Sequence, residues 1–310
     1  MSASILHRFV HRPQVPQLVA LFRIAFFVGV GLHFAPSLLD VEANYGASVV
    51  RSTLWSQTLH GLVPVLPPMA LRVMAWATLA GIAGGALGVW PRVSALITYV
   101  GTYAFASFNQ LPVQTLALTN AWAVLPVLCV CDGAASAWSV TSWWARRRGD
   151  TATPARPDVL GNLVLFQVVL AFFFAGIEKA TTGWLLRNEM LNLFYTPPGY
   201  ILRDVAFHIP ALRWPAVAMS LGVLTIVVEL AVPVGLLFRK TRWLSVLVWQ
   251  ALFVGIVVLI EVPPLFFMMF SSGVLLALDA ADLQVLRRRG VAASAVPATA
   301  PADGTGAGET

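Results

Sequence analysis

Charge is what this chain has least of. Only 11% of its 310 residues are Asp, Glu, Lys or Arg, against about 25% in a soluble domain. With 58% hydrophobic residues and a mean hydropathy of +0.78, it carries more apolar surface than one aqueous core can hide. That excludes an ordinary soluble domain and predicts an all-α, multi-pass integral membrane protein. Cysteine is nearly absent. Cys129 and Cys131, in "LPVLCVCDG", lack C-x-x-C spacing and partner ligands, so they read as small buried hydrophobes rather than a redox pair. There is no Gly-rich phosphate loop, zinc pattern or hydrolase elbow, and no metal is expected. A cleavable signal peptide is not expected either. No inverted repeat and no pair of broken helices supports a transporter.

What the chain does have is long apolar runs. A membrane-spanning helix needs roughly 17 to 25 mostly apolar residues. Eight segments qualify: Leu18 to Leu38, Ala70 to Trp90, Val93 to Leu111, Leu116 to Val130, Val159 to Ala180, Ala218 to Phe238, Trp243 to Ile260 and Pro264 to Leu278. The fourth is short. Placing both termini in the cytoplasm puts thirteen basic residues inside, among them Arg146, Arg147, Arg148, Arg239, Lys240 and Arg242, and five outside. This is the bias that cytoplasmic loops carry. Dropping the fourth span would send "RRR" and "RKTR" outside, so the charge pattern argues for keeping it. The same clustering reads the net charge of +6 as topology, with no nucleic-acid partner. The chain divides into a cytoplasmic segment at residues 1–16 with a short surface helix, a membrane domain at 17–280, and a basic, disordered tail at 281–310. Two long outside loops, Asp40 to Met69 and Thr181 to Val217, are functional or partly helical by their length.

Ionisable groups inside spans are costly and therefore informative. Arg23 lies in the first span and Glu229 near the middle of the sixth. Their modest difference in depth allows an Arg23–Glu229 ion pair, with Arg23 reaching to the inner interface as the alternative. Either role is scaffold. Nearer the outer surface lie His33, Asn109, Gln110, Asn120, Glu178, Lys179 and Glu261. Several polar groups at one depth favour a pocket opening outward over scattered capping. Lys179 stands in "FFFAGIEKATTGWLL", beside an acidic neighbour. Adjacent helical residues point about 100° apart, so Glu178 shares a face with Gln167, Ala171 and Phe174. Lys179 shares one with Phe172, Ala175 and Gly176. The small residues let a helix or ligand approach the lysine stem. A lysine against apolar walls loses solvation and becomes a base or nucleophile. A nearby carboxylate favours the ammonium instead, and a third outcome is a lysine that reaches out to the headgroups.

At these residues the sequence resembles the vitamin K-dependent γ-glutamyl carboxylases and their bacterial relatives, the horizontally transferred transmembrane (HTTM) domain proteins. "FFFAGIEKATTGWL" is similar to their AG-x-x-K-x-x-x-x-W segment. "LVALFRIAFFVGVGL", "NYG", "GGALGVWPRVSAL", "AWSVTSW" and "VVELAVPVGLLFRKTRW" match other family segments in order, over about residues 17–278. The resemblance implies a multi-pass enzyme of a bacterial inner membrane. In that family the matching lysine is regarded as the base that deprotonates vitamin K hydroquinone. Oxygen then converts the quinol to a stronger base, and CO2 adds to the carbanion that this base creates. By position Lys179 would be the catalytic base. Trp184 would shape the pocket, with Glu178, His33, Asn109, Asn120 and Glu261 around it and Arg23 and Glu229 as scaffold. The implied cofactors are a reduced quinone (vitamin K hydroquinone or menaquinol) and O2, with CO2 for a carboxylation. The partners are the lipid bilayer, the quinone, and a small-molecule or partner-protein substrate. The chain departs from the family pattern at Glu178, where the carboxylases carry a second lysine, at Asn120-Ala121, where they carry Asn-His, and near Gln250, where a histidine is usual. None of its residues corresponds to their large lumenal peptide-binding domain. The alternative within the same fold is a non-catalytic quinone- or lipid-binding module.

Overall fold

A computed structural model of the chain describes residues 12–46, 66–108, 115–131, 133–135, 137–149, 159–195, 208–260 and 262–284. Asn109, Gln110, Glu261, residues 1–11 of the N-terminal segment and the tail from residue 285 onward fall outside these residues, while residues 281–284, assigned to the tail from the sequence, are helical. The described residues are helical throughout their elements, with no extended strand. In chain order the helices are α1 (Pro16–Leu39), α2 (Val41–Tyr45), α3 (Pro68–Leu87), α4 (Pro91–Phe108), α5 (Thr115–Val130), α6 (Val140–Arg147), α7 (Val159–Thr181), α8 (Glu189–Tyr195), α9 (Pro215–Leu237), α10 (Arg239–Leu259) and α11 (Pro264–Leu275). Five of them, α1, α3, α7, α9 and α10, are long and apolar enough to cross a membrane. The fourth and eighth predicted spans form the shorter apolar helices α5 and α11. The short helices α2, α6 and α8 lie in stretches read from the sequence as loops.

Proline and glycine set the ends. Pro16, Pro68, Pro215 and Pro264 open α1, α3, α9 and α11, where a missing N–H costs nothing and φ is already helical. Gly88 closes α3 at φ 70°, its amide donating to the Gly84 carbonyl. This is the left-handed cap that glycine adopts without a steric penalty. It turns the chain tightly into α4.

The long helices pack in a closed circuit: α1 on α3, α3 on α4, α4 on α5, α5 on α7, α7 on α9, α9 on α10, α10 on α11, and α11 back on α1. Helix α7 also touches α11 across the middle. Close approach of α3 to its two neighbours rests on Gly81, which faces Ile97 and Thr98 of α4, and on Gly85, which faces α1. Gly85 faces the ring of fully buried Phe27. This is the small-residue packing that membrane helices use. Where α7, α10 and α11 meet, Phe172 lies edge-on to Trp249 at 4.3 Å and to Phe270 at 4.7 Å between ring centres.

One end of the bundle is polar and buttoned shut. Arg12 donates to the Ala277 carbonyl, and Asn162 Nδ2 donates to the Arg12 carbonyl at 2.9 Å. Arg242 Nη1 contacts Asp279 at 3.0 Å and Asp282 at 3.3 Å. The two aspartates also accept each other's backbone amides, at 2.9 and 3.0 Å. Burial, then the charge of Arg242, lowers the Arg12 guanidinium to about 10. Burial opposes ionisation of Asp279. The Asp282 amide and the two guanidiniums outweigh it and hold that carboxyl below its ordinary value. The chain before α1 and the chain after α11 thus meet at one end.

Candidate functional site

Helix α7 runs away from this buttoned end and carries Lys179 in its last turn. Gly176, one turn earlier, is where α9 comes closest. A Cβ added there would lie 3.0 Å from Leu230 and 3.1 Å from Glu229. The missing side chain lets the backbones approach and brings Glu229 within reach of the lysine. Lys179 Nζ donates to Glu229 Oε1. The Lys179 side chain is 27% exposed and that of Glu229 3%. The second carboxylate oxygen, Oε2, is buried and has no hydrogen-bond partner among the described residues.

Above the pair the chain leaves α7 through a turn at residues 182–188. Gly183, at φ 73°, supplies the left-handed residue, and Trp184 folds back over α9. Its ring packs on Gly222, where a Cβ would lie 2.9 Å away. The ring centre is 6.0 Å from Lys179 Nζ, at the outer limit for a cation over an aromatic face. The lysine therefore sits between a half-buried aromatic ring and a buried carboxylate.

Two expectations for the charged residues are corrected. Arg23 does not pair with Glu229. It is fully buried and donates to the carbonyls of Ala134 and Trp138, the latter at 2.6 Å. There it ties the loop after α5 to α1. Similar depth does not make two residues neighbours: Glu229 faces α7 and not α1. Lys179 does not reach outward to headgroups either, because its ammonium turns in onto Glu229. Glu178 behaves as its 100° offset requires. It is exposed and faces away from the lysine, its carbonyl accepting from Thr182 Oγ1 at 2.7 Å.

A family model described as HTTM domain matches residues 11–275. The chain belongs to the HTTM domain family. No curated protein matches it, and no solved structure does. Of the remaining predicted pocket residues, His33 and Asn120 are among the described residues. His33 is half-buried on α1 against Phe34, 5.0 Å between ring centres. The Asn120 carbonyl accepts from Gln167 Nε2 at 2.8 Å, which joins α5 to α7. Asn109 and Glu261 lie outside the described residues. Gln250 Nε2 donates to the Ser271 carbonyl at 2.7 Å and ties α10 to α11. The partner that sequence reasoning misplaced is Glu229. Its signal was available: a lone carboxylate in the middle of a span needs a cation, and Lys179 lies one turn past a glycine.

Proposed function

We propose that this HTTM protein is a membrane enzyme of the carboxylase-like kind, with Lys179 and Glu229 acting together as its proton acceptor. The observation that carries this reading is the inward turn of Lys179 Nζ onto a carboxylate that is 3% exposed. Away from water, two charges pay a desolvation cost that their attraction only partly offsets. When Nζ passes its proton to Glu229 Oε1, the amine is left neutral, with a lone pair able to take a proton from a hydroxyl. Trp184 shields the amine from water.

The residues present fit a reduced quinone. They offer a donor, an uncommitted acceptor in Glu229 Oε2 and an aromatic face in Trp184. Such a quinol would supply an acidic hydroxyl and the electrons for O2. Carboxylation with CO2 of a small or partner-borne substrate is the second half of the proposal. Eight crossings, with the buttoned end in the cytoplasm and the Trp184 end outside, complete it, in a bacterial inner membrane.

A second reading is favoured by the pair itself, because an ammonium held by a carboxylate is a weak base. In that reading Lys179–Glu229 only locks α7 to α9, and the domain binds quinone or lipid without turning it over. The test is to incubate purified protein with reduced menaquinone or phylloquinone under oxygen and assay the epoxide. Lys179→Ala is expected to cut turnover by at least about 100-fold, the usual worth of a general base, while quinone binding persists. Equal turnover in Lys179→Ala would sink the base assignment. Quinone binding with no epoxide in the wild type would establish the binding module.

A further inference from the structure

At the opposite end from Trp184, a cleft of about 620 Å³ opens between α1, α3 and the short helix α6. Its bundle wall is apolar and belongs to spanning helices: Ile24 and Val28, one turn apart on α1, and Leu87 at the end of α3. Its other wall carries Trp138, Trp143 and Arg146. We propose that this cleft holds one anionic glycerophospholipid of the adjoining leaflet, with its phosphate at Arg146 and an acyl chain along Ile24, Val28 and Leu87.

The wall that carries the basic group is fixed in place. Thr141 Oγ1 donates to the Gly88 carbonyl at 2.8 Å and accepts from the Trp90 amide at 3.2 Å. Ser139 Oγ caps the start of α6 by accepting from the Ser142 amide at 3.0 Å. Helix α6 is thereby pinned to the α3–α4 turn, yet none of its side chains is buried. A short helix with tryptophans and arginines, held at the end of a membrane bundle, has the make-up of an interfacial element. Trp138 and Trp143 have the amphipathic rings that settle at headgroup depth.

Charge selects the occupant. Arg146, Arg147 and Arg148 close α6, and among the described residues none of the three has an acidic partner. Arg147 is laid over the Trp143 ring at 4.1 Å, and nearby Arg23 is committed to backbone carbonyls. Arg146 is left to meet an anion at the mouth. The apolar wall makes that anion part of a lipid. Val28 is 38% and Leu87 60% exposed, so the cleft opens sideways into the acyl region. A soluble phosphate would have no use for that wall. The Lys179 site is not involved, so this proposal does not depend on catalysis.

The test uses the full chain purified in neutral detergent, with intact-complex mass spectrometry to count bound lipid. Phosphatidylglycerol, phosphatidylcholine and inorganic phosphate are the probes. One phosphatidylglycerol is expected to stay bound per chain, with phosphatidylcholine and phosphate retained far less. Arg146→Gln should weaken phosphatidylglycerol about fivefold, the worth of one arginine at an anionic surface. Val28→Trp, which fills the apolar half and leaves Arg146 in place, should weaken it as well. Both positions are exposed, so circular dichroism and melting should match wild type. Equal retention of the two lipids, retention untouched by either variant, or equal protection by inorganic phosphate would each overturn the proposal.

Discussion

Lys179 and Glu229 show how one missing side chain can decide the chemistry of a pair fifty positions apart. Gly176 admits α9, and the ion pair follows from that contact. Breaking a buried pair by removing one partner is costly because the other charge stays behind. Lys179→Met is therefore expected to destabilise the protein by about 3 kcal/mol, at the low end of such losses because the lysine keeps some solvent contact. The double variant Lys179→Met/Glu229→Gln should regain most of that loss, since no buried charge remains. Unfolding in mixed micelles across the full cycle measures this. If the double variant is as unstable as the sum of the single ones, the two residues are not a pair. Sequence alone made Lys179 a candidate from its apolar neighbours and small-residue face. It offered Arg23 as the partner of Glu229, because hydropathy gives depth along a helix and says nothing of which neighbour a face meets.

At the scale of the element, α3 is ruled by its glycines. Gly85 brings it against α1, Gly81 and Gly84 bring it against α4, and their positions say which contacts have no room to spare. A methyl group at Gly85 would run into the Phe27 ring, which is fully buried and has nowhere to go. Gly255 on α10 faces open space, with nothing near its would-be Cβ. Gly85→Ala is expected to cost about 1 to 3 kcal/mol through overpacking. Gly255→Ala should be neutral or gain up to about 1 kcal/mol from helix propensity. Melting temperatures of the two variants in one detergent decide it, and a Gly85→Ala protein as stable as wild type would show that α1 and α3 are not in tight register. The elements themselves were largely legible. Each of the eight apolar runs became a helix within a few residues of its predicted bounds, and for the five long ones twenty or so apolar residues leave the backbone no other way to satisfy itself in lipid. The helices α2, α6 and α8 were not legible. Each is eight residues or fewer, too short for a periodic pattern to stand out, and α6 owes its place to hydrogen bonds with Gly88 and Trp90 far along the chain.

For the whole molecule, the decisive asymmetry is between its two ends. One end carries the Arg12–Arg242–Asp279 network together with the Arg146 to Arg148 cluster beyond the lipid cleft. The other carries the Trp184 turn over the Lys179–Glu229 pair. The bias of basic residues toward one side was readable from the sequence, and the closed circuit of helices explains how both chain ends reach the same side. This makes a topology prediction that a single wrong crossing would break. In a background with Cys129 and Cys131 replaced, Thr182→Cys should react with a membrane-impermeant maleimide in intact cells expressing the chain. Arg148→Cys and Lys240→Cys should react only after the membrane is opened. All three positions are exposed, so a failure to label reports sidedness and not burial. Labelling of Lys240→Cys from outside, with Arg148→Cys still protected, would mean that one of α7 and α9 does not cross. If Thr182→Cys is protected as well, α7 is the helix that fails to cross: Lys179 would then stand on a helix that returns to its own side, and the ion pair would no longer lie within the membrane, where the proposed proton transfer needs its low solvation.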